Sequence, residues 1–244
     1  VLTETEKSAL EPMARTLAEA DRMIQAAHDA QVTLMVAENF RFMPAFRVAR
    51  RLVADGWLGA LRQLHITAWG FRRYTDWRCS LAAMGGGTLI DGGIHYVDLL
   101  LQWGGRPTRV FALSPPKTLM GMEGEDTVSL LVEFTGGAVG FLSNSLATPG
   151  IPGLQWSTLT GSEGTLFVHH RGRFVWLRSR RGQRLRVFVR GDWRGYRAML
   201  AEFVGAARAG PTPEMNGRDG RRDLALVLAA YESLKTGRPV EVEC

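Results

Sequence analysis

Near residue 60, the spacing of apolar residues changes from about 3.6, as in helices, to 2, as in strands. Of all features of the sequence, this change most limits the folds that the chain can adopt. Before it, a capping box at Thr16 predicts a helix to about Ala30, and Pro44 begins a second helix that ends near Gly56. After it, eight segments read as strands, from "LRQLHITAWGF" to "RLRVFVR". Two helices and a terminal "VEVE" follow. The pattern predicts an α+β fold, in which a large, mostly antiparallel sheet is flanked by helices.

The composition is that of a globular protein with a sizeable core, since 45% of the 244 residues are hydrophobic and 22% are charged. No apolar run approaches the roughly 18 residues that cross a bilayer, and the first residues lack the pattern of a signal peptide. We therefore expect a cytoplasmic protein with no membrane partner. Cys79 and Cys244 indicate neither a disulfide framework nor a zinc site, which fits a reducing compartment.

A net charge of +6 raises the question of nucleic-acid binding, because "HHRGRFVWLRSRRGQRLRVFVRGDWRGYR" interleaves arginines with aromatic residues. The arginines of "RFVWLRS" and "RLRVFVR" alternate with apolar residues, as on the wet face of an antiparallel hairpin. Arginine is also abundant along the whole chain. The sequence therefore favours a hairpin and no nucleic-acid partner.

The stretch "GGGTLIDGGIHYVDLL" places chemically active side chains on an apolar helix. Asp91, His95 and Asp98 are spaced i, i+4, i+7, which predicts that they share one helix face. Histidine is the side chain whose charge changes nearest neutral pH, and a nearby carboxylate fixes its tautomer. Asp91 and His95 are therefore candidates for acid–base chemistry. For Asp98 we favour a cap or a salt bridge.

Glu38 and Asn39 follow "VTLMVA", a short apolar segment that predicts a strand covered on both faces. Ligands gather at the carboxyl ends of strands in open α/β sheets, so both residues are candidates for the site. Either could equally fix the turn into the next helix. A metal site of Asp91, His95 and Glu38 is disfavoured because no short spacing demands one, and we expect no metal.

Six segments together carry a resemblance to a known family. They are "TLAEADRMIQAAHDAQVTLMVAENFRFMPAFR", "WR" at residues 77–78, "GGGTLIDGGIHYVDLL", "GEDTVSLLVEFTGGAVG", "TGSEGTL" and "AAYESLKTGRPV". Through them, nearly all of the sequence resembles the glucose-fructose oxidoreductase / inositol dehydrogenase / rhizopine catabolism (Gfo/Idh/MocA) family of NAD(P)-dependent sugar and cyclitol oxidoreductases. The resemblance implies that residues 41–244 form a substrate-binding and oligomerisation domain. Residues 1–40 would then be a short remnant of a Rossmann-type dinucleotide-binding domain.

The resemblance also implies roles for the candidate residues. His95 would be the general base or acid on a sugar hydroxyl, and Asp91 would orient or hydrogen-bond the substrate. Glu38 is a further candidate catalytic carboxylate. Planar and amide side chains suited to bind a sugar ring and its hydroxyls are Asn39, Arg72, Tyr74, Trp77 and Arg78.

Two features of the family are missing from this sequence. There is no G-x-G-x-x-G motif between a strand and a helix, the turn that places backbone N–H groups against a cofactor pyrophosphate. The family's Glu-Lys-Pro motif is represented only by Glu11-Pro12, and Lys7 lies several residues too early, so its role stays open. We therefore expect no cofactor in this chain alone, with NAD or NADP bound only if a partner supplies the Rossmann site.

Three functional hypotheses follow. The first is a truncated sugar or cyclitol oxidoreductase with a sugar pocket around Asp91 and His95. The second is a cofactor-independent glycoside hydrolase or lyase, in which Asp91 and Glu38 would flank the bond that is cleaved. The third is a non-catalytic sugar-binding or dimerisation module. In each case we expect a homodimer through the large sheet.

Overall fold

The computed structural model describes residues 12–148, 155–169, 174–180, 182, 184–188, 191–210 and 212–243. Lys7, Glu11 and Cys244 lie outside the described residues. The helices are α1 (Leu17–Asp29), α2 (Pro44–Ala54), α3 (Leu81–Met84), α4 (Ile94–Gly104), α5 (Tyr196–Ala209) and α6 (Gly217–Thr236). Short 3-10 helices lie at Asn39–Phe42 and Trp77–Cys79, and a π-helical turn at Leu89–Gly93.

The strands form one sheet, and the predicted α+β fold is confirmed. They are β1 (Leu61–Trp69), β2 (Pro107–Leu113), β3 (Thr127–Phe134), β4 (Val139–Ser145), β5 (Gln155–Gly161), β6 (Gly164–His169), β7 (Phe174–Ser179), β8 (Arg184–Phe188) and β9 (Val240–Glu241). Their order among the described residues is β8-β7-β6-β5-β1-β4-β3-β2-β9. Within the described part of the chain, β1 with β4 is the only parallel pair, and the other pairs are antiparallel. The arginine-rich segment contains the antiparallel pair β7–β8, as the hairpin interpretation predicts.

One face of the sheet packs against the helices because the strands alternate in polarity. In β1, Leu64, Ile66 and Ala68 are buried, whereas His65 between them is exposed. Helices α2, α4 and α6 cover the buried face. Burying a side chain of leucine size contributes roughly 1.5–3 kcal/mol, so this interface is a major source of stability.

The N-terminal part of the prediction is only partly correct. Helix α1 begins as expected, since the Thr16 hydroxyl accepts from the Glu19 N–H at 3.2 Å. The strand predicted for "VTLMVA" is wrong, because this segment makes only an isolated bridge between Met35 and Asn216. Its apolar residues Leu34 and Val36 pack instead against the core beside the start of α6.

A buried ion pair fixes the segment after Glu38 to helix α4. Arg41 Nε lies 3.0 and 3.1 Å from the two carboxylate oxygens of Asp98, and its Nη2 lies 2.6 Å from Oδ1. Arg41 also donates from Nη1 to the Glu214 carbonyl at 2.6 Å. Although burial opposes its charge, the hydrogen bonds that Arg41 donates to Asp98 and the negative charge of that carboxylate raise the pKa of Arg41 above its usual value. The pair thus joins three segments around the site.

The π turn before α4 is fixed by two side chains from elsewhere in the fold. The first N–H groups of a helix have no partner within it. The Glu125 carboxylate accepts from the Leu89 N–H at 2.9 Å, and the Tyr231 hydroxyl accepts from the Gly87 and Ile90 N–H groups at 3.0 and 3.2 Å. Burial raises the pKa of both Glu125 and Tyr231. Together they hold the turn that carries Asp91.

Replacing Arg41 tests the ion pair. The Arg41→Met variant leaves the Asp98 carboxylate buried without its main cation, so we expect the free energy of unfolding to fall by about 3–5 kcal/mol. Urea denaturation followed by circular dichroism measures this loss. Arg109→Met is the control, because Arg109 pairs with Glu133 at the surface and should change the stability very little. Equal effects of the two substitutions would contradict the assignment.

Two glycines of the site segment form a matched pair. A Cβ on Gly87 would lie 2.1 Å from the Glu125 carbonyl oxygen, whereas a Cβ on Gly92 would meet nothing within 4 Å. Gly87→Ala should therefore reduce the free energy of unfolding by about 2–3 kcal/mol through overpacking. Gly92→Ala should leave it equal or slightly higher, since alanine favours helix. The urea midpoints of both variants provide the measurement, and tolerance of Gly87→Ala would refute the close packing.

Candidate functional site

The sequence places Asp91, His95 and Asp98 on one helix face, but in the structure Asp98 lies apart from the cavity that the other two line. The Gly93 N–H bonds to the Thr88 carbonyl at 2.9 Å, a five-residue step that widens the helix at Asp91. Asp91 and His95 both line one cavity. Asp98 instead is fully buried against Arg41, so the salt-bridge interpretation of this residue is confirmed.

His95 is oriented by Glu38. The His95 Nδ1 lies 2.5 Å from Glu38 Oε2, and the other carboxylate oxygen accepts from the Phe40 N–H at 2.9 Å. The Phe40 ring stacks on the imidazole with centroids 4.8 Å apart. Because a carboxylate can only accept, this contact places the hydrogen on Nδ1 and makes Nε2 the basic nitrogen. Glu38 therefore both fixes the turn and serves the site.

Asp91 has different partners. The Tyr74 hydroxyl donates to Asp91 Oδ2 at 2.7 Å, and Arg78 Nε lies 3.3 Å from Oδ1. Burial and the bond to Asp91 raise the pKa of Tyr74 to about 12. Burial opposes the charge of Arg78, but the attraction of Asp91 and Asp76 raises its pKa overall. Asp91 is thus a carboxylate held by one hydroxyl and one guanidinium donor.

The cavity has a volume of about 290 Å³ and mixes polar and apolar groups. Candidate residues on its wall are Asp91, His95, Arg72, Tyr74 and Arg78. Other wall residues are Phe40, Ala68, Gly70, Thr88, Gly92, Tyr96, Asn144, Ser145, Leu146 and Gln155. Its size suits a monosaccharide, and its many donors and acceptors suit hydroxyl groups.

Three candidates are absent from the set of residues that line this cavity. Glu38 acts on it through His95. Asn39 donates from its side chain to the Arg194 carbonyl at 2.7 Å, which joins the 3-10 turn to the segment before α5. The Trp77 ring lies under the Arg78 guanidinium, 4.6 Å from its centre. Asn39 and Trp77 therefore support residues around the site.

Sequence reasoning missed several polar residues near the site. Thr88 donates to the Asn144 side chain at 2.8 Å, and both line the cavity. The signal was the run "SNS" at the end of β4, because three consecutive polar residues are unusual in a strand that is buried. Glu125 lies in "GEDT", a segment that contributes to the family resemblance but does not itself indicate a role for this residue. Tyr231 lies on the apolar face of α6, where nothing in the sequence sets it apart.

Within the described ranges, no group of three or more His, Cys, Asp or Glu side chains is placed to hold a metal ion. The helices in the same part of the chain are too short or too polar to cross a membrane.

The sequence profile of the GFO/IDH/MocA C-terminal domain matches residues 46–167. D-apiose dehydrogenase of Paraburkholderia graminis is 31% identical over 252 residues, which cover 95% of this chain and 65% of that protein. Myo-inositol 2-dehydrogenase of Thermotoga maritima is 30% identical over 242 residues, which cover 95% of this chain and 71% of that protein. The chain thus spans about two thirds of the length of these relatives.

Solved structures agree on the fold. Aldose-aldose oxidoreductase from Caulobacter crescentus superposes with a TM-score of 0.86 at 24% identity, covering 95% of this chain and 70% of that one. Levoglucosan dehydrogenase in complex with NADH and L-sorbose gives a TM-score of 0.86 at 21% identity, covering 96% and 72%. The matched profile and the identity to the dehydrogenases together show that this chain belongs to the Gfo/Idh/MocA family.

Proposed function

We propose that the chain binds a sugar or cyclitol in the cavity beside Asp91 and that His95 exchanges a proton with one of its hydroxyls. The observation that carries this proposal is the contact between His95 Nδ1 and Glu38, which makes Nε2 the basic nitrogen of a residue that lines the cavity. Relatives named as dehydrogenases of D-apiose and of myo-inositol support this class of substrate.

Proton transfer follows from the arrangement of the pair. A hydroxyl placed at Nε2 can give its proton to the imidazole, and the imidazolium can return that proton to the same oxygen. The imidazolium that forms lies against the Glu38 carboxylate, which stabilises its positive charge. Because Glu38 is 4% exposed, water weakens this attraction little.

Substrate orientation is assigned to Asp91 and its partners. The Asp91 carboxylate has lone pairs beyond those used by Tyr74 and Arg78, and these can accept from two adjacent hydroxyls. Tyr74 has a pKa of about 12, so its hydroxyl is protonated at neutral pH and is a hydrogen-bond donor. Asn144 and Gln155 add amide groups to the same wall. Such groups distinguish hydroxyl positions on a ring.

NAD(P) has no role in the chemistry proposed for this chain. Levoglucosan dehydrogenase is a structural neighbour that contains NADH. The described residues here do not fit a dinucleotide pyrophosphate, because no glycine-rich turn joins a strand to a helix among them. We propose that this chain alone does not bind NAD(P) in the usual way. Hydride transfer is therefore not proposed for this chain alone.

A glycoside hydrolase is not proposed. That mechanism requires two carboxyl groups that face the same bond. Asp91 lines the cavity, but Glu38 is absent from its wall and its carboxylate is engaged by His95 and by the Phe40 N–H.

We also propose that a second copy of the chain covers the open face of the sheet. The strand register aligns one row of side chains across this face, formed by Phe111, Leu131, Phe141, His65, Thr158, Phe167 and Trp176. Leu131 and Trp176 are 48% and 43% exposed. Five of these seven side chains are apolar, and an exposed, mainly apolar row is typical of an interface; a two-fold axis lets the row pack against itself.

The substrate proposal is tested by binding. Isothermal titration with myo-inositol and with D-apiose should give saturable binding to at least one of them. Asp91→Ala should weaken it at least about tenfold, because hydrogen bonds to a charged group contribute roughly 1.5–3 kcal/mol. Asp55→Ala removes an exposed carboxylate outside the cavity and should bind as the unmodified chain does. Equal affinity of the two variants would refute the assignment of Asp91.

The dimer is tested by size. Light scattering at micromolar concentration should give twice the chain mass. Phe141→Arg, in the middle of the row, should give monomers because it buries an unpaired charge at the interface. Val32→Arg changes an exposed apolar residue outside the sheet and should leave the dimer intact. A monomeric unmodified chain would contradict this proposal.

A further inference from the structure

A second, much smaller cavity lies against Glu38. Its volume is about 20 Å³, which is room for one water molecule. Two acidic residues, Glu38 and Asp223, line it. The other lining residues are Pro12, Met13, Val36, Ala37, Ile94, Met215 and Gly220. Two acidic residues therefore share a cavity whose other walls are almost entirely apolar.

Asp223 has one carboxyl oxygen without a donor among the described residues. The residue lies on α6 and is 1% exposed. Its Oδ1 lies 3.4 Å from Arg222 Nη2, whereas no donor to its Oδ2 is found in the described part of the chain. The Asp98 carboxyl group also lies within hydrogen-bond reach of Asp223. An ionised carboxylate oxygen that is buried without a donor is strongly unfavourable. A protonated Oδ2 would instead be a donor that needs an acceptor.

Charge around Asp223 also opposes its ionisation. The neighbouring carboxylates are Asp98 on α4, Asp219 on α6 and Glu38 before the 3-10 turn, and the neighbouring cations are Arg41 and Arg222. Three carboxylates therefore face Asp223 with only two guanidinium groups, and Arg41 donates three of its hydrogen bonds to Asp98. Burial first, and the charge of Asp98 second, raise the pKa of Asp223 well above its ordinary value.

We propose that Asp223 is protonated at neutral pH and that its Oδ2–H donates, through one water molecule in the small cavity, to the Glu38 carboxylate. Asp223 is then a positioning residue. A donor to Glu38 orients that carboxylate against His95 Nδ1 and competes with the imidazole for its negative charge. The consequence for catalysis rests on the proposed function, but the protonation and the bridge do not.

Infrared spectroscopy tests the proton directly. The difference spectrum between the unmodified chain and Asp223→Asn at neutral pH should show the loss of a protonated carboxylic acid band. Asp126→Asn is the matched control. Asp126 is equally buried, but hydrogen bonds from the Thr118 and Leu119 N–H groups outweigh burial and lower its pKa, so only a carboxylate band should be lost. A carboxylate band lost from Asp223→Asn would overturn the proposal.

A measurement without substitution covers the case in which Asp223→Asn does not fold. With aspartate labelled by ¹³C at the side-chain carboxyl, one buried resonance of the unmodified chain should keep the shift of a protonated acid at neutral pH. Ionised shifts for all buried aspartates would overturn the proposal.

The bridge to Glu38 is tested by the titration of His95 in NMR spectra, assigned with His95→Gln. Asp223→Val removes the donor, which strengthens the hold of Glu38 on the imidazolium, and should raise the midpoint by about half a pH unit or more. Asp223→Asn keeps an N–H donor at the same place and should restore the midpoint. Equal midpoints in Asp223→Val and the unmodified chain would overturn the bridge. Neither readout involves a sugar, so failure of sugar binding is distinguished from failure of this inference.

Discussion

The buried ion pair between Arg41 and Asp98 is the interaction on which the site depends. Both residues lie close in sequence to the catalytic candidates, since Arg41 follows Glu38 by three positions and Asp98 follows His95 by three. The Arg41–Asp98 pair therefore also brings Glu38 to His95, with 2.5 Å between Glu38 Oε2 and His95 Nδ1. An unpaired charge in this interior would be strongly unfavourable, which ties the 3-10 turn to α4 in a single arrangement. The Glu214 carbonyl accepts another Arg41 bond and adds the start of α6 to the same unit.

The sheet and most helices could be predicted because their signals are local. Alternation in β1 and the cap at Thr16 reflect which neighbours along the chain face the core, and the structure follows them. The segment "VTLMVA" is different, because a continuous apolar run shows burial on all sides without showing what covers it. Here helices cover Leu34 and Val36, and the backbone makes one isolated bridge instead of a ladder.

The candidate site shows the same limit. Residue types and spacing make Asp91 and His95 candidates, and the position of Glu38 after an apolar segment makes it another, but these signals do not show which carboxylate meets the imidazole. A π turn at Asp91 and the closeness of Glu38 in space decide that, and neither appears as a periodic pattern. Glu125, Tyr231 and Asp223 were missed for a related reason. Their roles depend on unpaired N–H groups and on a small cavity that exist only once distant segments have packed.

Three carboxyl groups near α4 differ because their donors differ. Asp91 faces the large cavity with a hydroxyl and a guanidinium, so it suits direct contact with a polar ligand. Glu38 is buried, with one oxygen bonded to a backbone N–H and the other to an imidazole, so it suits orientation of a base. Asp223 has a buried oxygen with no donor within the described part of the chain, so it suits the retention of a proton. The same type of side chain can therefore bind a ligand, orient a base or retain a proton, depending on the donors and the burial around it.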